Sequence, residues 1–280
     1  AANKNISLTN SVALTIFDDT VAGVHGLSSS GGTITLNNSG AVNQSGVGNS
    51  AIASDALMLQ GAGSYALTNT ANSVTTLTAS NTGAIAYTNA GTLTVGAAGI
   101  TTADNLSGNS GGVTLTTVSG DIAVDNSIKT GNATVPGTGS ATVSSGAISL
   151  TAGGGGNVTG AATVTTGDAT VTGGLAGDTA TVGNITLSGT GIGASPTPFN
   201  VVLGTANAGS GTSMQGQLNL TTRGAGTAGD IYVTSSAPLY VNSITTNVAD
   251  AQTVSIATTG GNPLTFLNTG VYTGVKGSGT

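Results

Sequence analysis

GGVTLTTVSGDIAV, residues 111–124, holds two copies of one short word: glycine, a variable residue, then aliphatic, polar, aliphatic. Val113 with Leu115, and Ile122 with Val124, lie two apart, so in an extended chain each pair points to one side while Thr114 and Ala123 point to the other. The stretch therefore reads as strand, glycine turn, strand. The word returns as GGTITL (31–36), GAIAY (83–87), GTLTV (91–95), GAISL (146–150), GNITL (183–187) and GDIYV (229–233). A unit repeated this often sets the architecture before any single residue does.

Composition agrees with strands and excludes several function classes. The 280 residues include 47 Gly, with 3% aromatic and 5% charged residues. Disordered chains stay soluble through high net charge and few β-branched residues, whereas Val, Ile and Thr are abundant here and favour sheet. All ten acids are Asp, set against Lys4, Lys129, Lys276 and Arg223, for a net charge of −6. Four scattered basic residues make no patch for phosphates, so nucleic acid and anionic membranes are poor partners. There is no Cys for disulfides or thiolate metal sites. No apolar run reaches the roughly 18 residues of a spanning helix. The chain starts AANKNISL and ends VKGSGT, without initiator Met, signal or polar cap, and reads as a piece of something longer or processed.

Along the chain, NISLTNSVALTI (5–16) predicts two alternating strands, FDDTVAGVHG an irregular passage, and residues 55–95 strands ending at Gly or Asn about every 8 to 10 residues. Between Gly131 and Gly183 the sequence approaches low complexity, built from Gly, Ala, Thr, Val, Asn and Asp; strands there should be short and turns tight, without a domain boundary. Bulk returns from Gly191, with four of the five prolines at strand edges.

The aromatic count separates the possible all-β architectures. A sandwich must fill about 10 Å between sheets with large side chains, and this chain has no Trp and three Phe. A solenoid core is narrower, and columns of Val, Ile, Leu and Ala fill it. With about 4.8 Å between coils and roughly 20 to 25 residues in each, residues 1–280 predict one continuous segment of about 11 to 14 coils, a rod of about 50 to 65 Å.

These words, together with LMLQGAGSYALTNTANSVTTLTASNTGAIAYTNAGTLTV and GNITLSGTGIGASPTPFNVVLG, resemble the repeats of filamentous-haemagglutinin-like large exoproteins, bacterial adhesins exported by two-partner secretion. The resemblance covers most of the chain and rests on degenerate repeats. It implies a right-handed parallel β-helix outside the cell, acting in adhesion, aggregation or biofilm. The family's Asn-Pro-Asn secretion signature is not matched, since Asn262-Pro263 is followed by Leu264.

Few motifs offer chemistry. Asp18, Asp19 and His25 are the one cluster of metal-ligand type; a site needs three or four converging ligands, and the sequence offers no second His and no Cys. GGLAGDTATV (173–182) and GAGTAGDIYV (224–233) approach a glycine-rich calcium repeat but lack its spacing and tandem copies; turn chemistry accounts for Gly-Asp at a strand start. No Lys follows the glycine pairs in phosphate-loop spacing. Asn-x-Ser/Thr at Asn5, Asn105, Asn132, Asn157, Asn184 and Asn219 is frequent, as composition alone predicts, and Tyr65, Tyr87, Tyr232, Tyr240 and Tyr272 could stack on sugars or simply favour strands. For a polysaccharide-cleaving enzyme, Asp121 and Asp125 are the carboxylates to consider; Lys129 and Arg223, far apart in the chain, should lie about four coils and some 20 Å from each other, forming no electropositive cleft. No catalytic, cofactor or metal residue is assigned. The expected function is a non-enzymatic extracellular or cell-surface rod. Its partners are a host or neighbouring-cell surface, glycans, or copies of itself in an oligomer, fibre or sheath.

Overall fold

The computed structural model describes residues 4–17, 26–45, 50–224, 226–246, 252–267 and 272–273. It is a parallel β-solenoid. The chain alternates between two sheets, each strand pairing with the strand one turn later. The first sheet opens with Ile6–Asn10, Leu27–Asn38, Ile52–Gln60, Ser73–Thr82 and Leu93–Thr102, and the second with Leu14–Ile16, Val42–Gln44, Tyr65–Leu67, Ile85–Asn89 and Val113–Thr117. Among the described residues the main path of each sheet holds ten strands.

The words stack in register. Ile85 pairs with Val113, Val113 with Ile148, Ile148 with Ile185 and Ile185 with Leu218. These five form a column at most 2% exposed, within one continuous core that also holds Leu36, Leu57, Leu77 and Val95 of the other sheet. Each such side chain contributes roughly 1.5–3 kcal/mol by leaving water. Polar residues between them, such as Thr114, Ser149 and Thr186, form the outer face. Tyr65 and Tyr87 point inward, filling the core of two of the shorter coils.

A corner explains why the word begins with glycine. Gly111, Gly146 and Gly183 stack directly: a Cβ on Gly146 would lie 2.0 Å from the Gly111 carbonyl oxygen, and one on Gly183 would lie 2.4 Å from that of Gly146. Backbone cannot yield to such an approach. Hydroxyls finish the corner, the Gly146 N–H donating to Ser110 Oγ at 2.9 Å and the Gly183 N–H to Ser145 Oγ at 3.1 Å.

Coil length is far from uniform. Leu57 pairs with Leu77, Leu77 with Val95 and, near the other end, Ile231 with Val254, whereas in the middle Val113 pairs with Ile148 and Ile148 with Ile185. The coil length expected from the sequence thus holds only for some coils on either side of the middle: the first, which pairs Ile6 with Ile34, is already longer, and the central coils far exceed it. Their surplus builds a lobe of two three-stranded sheets, Ala133–Pro136 with Ala169–Thr172 and Ala206–Asn207, and Thr142–Ser144 with Thr179–Thr181 and Thr212–Met214. The lobe has its own core of Ala133, Val143, Ala169, Val171, Ala180, Val182, Ala206 and Ala208. Every residue of that core is Ala or Val, so the near-low-complexity stretch supplies the small side chains that fill it. Its strands are short, as the sequence predicts.

Candidate binding surfaces

The aspartates and asparagines act first as corner pieces. Asp104 Oδ1 accepts the Asn132 N–H at 2.7 Å, Asn132 Oδ1 the Asp168 N–H at 2.9 Å, and Asp168 Oδ1 the Thr205 N–H at 2.7 Å, one step per coil. A second ladder runs from Asp121 through Asn157 to Gly191 at 2.7 and 2.9 Å. A short side chain matches the spacing of about 4.8 Å between coils, which accounts for Asp and Asn where Glu is absent. The Asp121 carboxylate weighed for catalysis is therefore engaged by the next coil, and Asp125, four positions on, is exposed.

Both aspartates of the calcium-like stretches face N–H or O–H donors. Asp178 is fully buried and accepts the Ala141 and Leu175 N–H groups, each at 2.7 Å. The Leu175 bond, with those from Ala141, Thr138 and Gly139, holds its carboxyl below the usual range against the opposing effect of burial. Asp230 accepts the Thr253 N–H at 2.7 Å and the Tyr232 hydroxyl at 3.2 Å. Both carboxylates thus close turns by accepting hydrogen bonds, the role that turn chemistry gives to Asp. Among the described residues no three acids or histidines gather as metal ligands; Asp18, Asp19 and His25 lie outside them.

The Asn-x-Ser/Thr positions prove to be corners or ladder rungs. Asn5, Asn105, Asn132, Asn157, Asn184 and Asn219 each accept a hydrogen bond through the amide oxygen. Tyr65 and Tyr87 are core residues and offer nothing to a sugar, whereas Tyr232 and Tyr240 are half-buried. The Tyr272 side chain lies outside the described set. Lys129 and Arg223 correct the coil arithmetic: Lys129 pairs with Thr165 and Thr165 with Val202, which belongs to Arg223's own coil. They are two coils apart, because the coils between them are long. Arg223 clasps the rod along its axis, donating to Ser188 Oγ at 3.3 Å and to the Ala152 carbonyl at 2.6 Å.

Among the described residues, an apolar hollow lies at the amino-terminal end against Leu8, Leu14, Ile16 and Leu27, and two further regions are polar. On the lobe, Thr170, Thr172, Gly173, Asn207 and Ser210 line an open groove of about 710 Å³, and Leu175 and Met214 are exposed large apolar residues of the same lobe. Beneath it, where coils lengthen, two cavities of about 480 and 360 Å³ share Asp104; Asn109 lines the first, Asn81 and Lys129 the second. Leu106, in the 103–112 connection, is 76% exposed.

No protein-family model matches the chain, and no curated protein or solved structure matches it either. Function must therefore be argued from the surfaces themselves. Both polar regions are concave and rich in hydroxyl or amide groups, a chemistry of binding by hydrogen bonds. The sequence could not single out Asn81, Asp104 and Lys129. Each stands on a different coil, and only the stacking of three successive coils makes them neighbours.

Proposed function

We propose that this chain is an extracellular bacterial rod, at the cell surface or secreted, that acts in adhesion and aggregation through its surface and without catalysis. The coil is taken as right-handed, the hand parallel crossovers adopt almost without exception. The lobe carries the reading. The short coils that stack Leu57 on Leu77, Leu77 on Val95 and Ile231 on Val254 close the same core on either side of it, so the surplus of the central coils raises a ridge that the rod does not need for closure. The outer faces are compatible with contact to uncharged, hydroxyl-rich surfaces: Thr114, Ser149 and Thr186 form one row and Thr116, Thr151 and Ser188 another. Proposed partners are host or neighbouring-cell surfaces, glycans and further copies of the chain.

The test displays the chain on a non-adherent bacterium and measures adherence to cells and autoaggregation. Adherence that soluble chain competes away supports the reading. Unchanged adherence and aggregation would sink it, as would sugar release from a glycan panel that is lost on Asp121→Ala.

A structural fibre or surface sheath is the second reading, and one observation favours it. At the two ends of the described stack Ile6, Leu8 and Leu14, and likewise Val254, Ile256 and Leu264, are only half-buried, while their counterparts in the middle are closed. Core columns that stay partly exposed at the last described coils are compatible with further coils or further copies stacking on them. Electron microscopy distinguishes the readings: ordered bundles favour the fibre, isolated thin rods the adhesin.

A further inference from the structure

We propose that the ledge beneath the lobe binds a neutral sugar unit, a hexose or N-acetylhexosamine of a surface glycan; the adhesive reading enters only as the source of that glycan. The ledge forms where the coil lengthens abruptly, between the short turn that pairs Leu77 with Val95 and the next, which pairs Ile100 with Ile128. The adjoining cavities have an apolar part at Ala62, Ala84 and Ala103 and polar groups at Asn81, Asp104 and Lys129. In a chain with 5% charged residues, an acid and a base line one concavity. Both keep bonding capacity, since Asp104 binds Asn132 through Oδ1 and Lys129 is exposed.

A second, independent observation concerns Asn81. Its φ of 56° is the only positive value at a non-glycine position among the described residues. It sits at an irregularity in the ladder, where Ala79 pairs with Ile100 but Thr82 with Thr102. Such irregularities re-aim a side chain and cluster at binding sites, and Asn81 lines the cavity with Asp104 and Lys129.

The chemistry follows from the groups. A carboxylate oxygen accepts hydrogen bonds from sugar hydroxyls, an ammonium and an amide donate to ring and acetyl oxygens, and the alanines suit the C–H side of a pyranose. One positive and one negative charge give no net preference for an ionic ligand. Without an aromatic platform a single site is weak, and affinity grows through multivalency.

The test measures retention of polymer-conjugated neutral hexoses and N-acetylhexosamines, with uronate and amine conjugates alongside, on the immobilised full chain. Lys129→Gln and Asn81→Gly are compared with Asp55→Asn, an exposed acid on the Ile52–Gln60 strand; Gly adopts the positive φ freely. The expected result is retention of a neutral conjugate that falls at least tenfold in both ledge variants, with unchanged melting and no effect of Asp55→Asn. Three results would overturn the proposal: no neutral conjugate is retained, only charged conjugates are retained, or the ledge variants bind like the parent. Cell adherence assayed in parallel separates the two claims. Adherence without neutral-sugar retention removes the ledge site alone, and retention lost in the ledge variants without adherence supports the ledge and removes the adhesive reading alone.

Discussion

The Asp178 carboxylate accepts the Ala141 N–H at 2.7 Å across one coil, tying the two long central turns together inside the lobe. Its folded pKa is lowered by the Leu175 bond first and the other backbone donors after it, so the stability it contributes is present above the ordinary carboxylate range and lost as pH falls through the folded value. The lobe should loosen in acid before the main core does. Hydrogen exchange at acidic and neutral pH checks this: protection over 133–145 and 169–181 should fall more than over 52–60. Asp178→Asn should lower the melting temperature at neutral pH and flatten its acid dependence.

Glycines should divide by position. A Cβ on Gly91 meets nothing within 4 Å, and its φ is not in the left-handed region, so Gly91→Ala should stabilise by about 0.4–1 kcal/mol through the unfolded chain. Gly146→Ala places its Cβ against the Gly111 carbonyl and should cost about 3 kcal/mol or more. Urea melts of the two variants give the comparison; a harmless Gly146→Ala would refute the stacked-corner account.

The buried tyrosines predict both a mutational contrast and alkaline behaviour. The Tyr65 hydroxyl shares its one O–H between the carbonyls of Leu36, at 2.9 Å, and Gln60, and accepts the Asn38 N–H at 3.1 Å. Tyr65→Phe strands that buried N–H, at a cost of about 1–3 kcal/mol. Tyr87 donates to Asn89 Oδ1, which also accepts the Val74 N–H, so Tyr87→Phe should cost about 1 kcal/mol or less. Burial raises both hydroxyls above the ordinary range, Tyr87 far above it. Their stabilising effect is complete below about pH 10 and lost as pH rises through the folded values. Absorbance at high pH should show Tyr87 ionising only with unfolding and Tyr65 later than an exposed tyrosine.

Ladder aspartates should tolerate an amide. Asp121→Asn keeps the oxygen that accepts the Asn157 N–H and should change stability by under about 0.5 kcal/mol, whereas Asp121→Ala removes the acceptor and should cost about 1 kcal/mol. Equal losses in thermal melts would show that the carboxylate charge, not the bond, matters there.

Strands, their parallel stacking and the glycine corners are legible in the order of amino acids, because each is a local consequence of a short word. An aliphatic pair two apart sets the inward face, and the scarcity of large aromatics, with no Trp and three Phe, points to a narrow core. Tyr65 and Tyr87 follow the same alternation, yet a strand alone does not say which face is inside. Packing alone decides how much chain separates words that stack, since the pairing of Val113 with Ile148 is a nonlocal contact that leaves no local mark. From that lengthening of the central coils come the lobe, the two-coil separation of Lys129 and Arg223, and the ledge where Asn81, Asp104 and Lys129 meet.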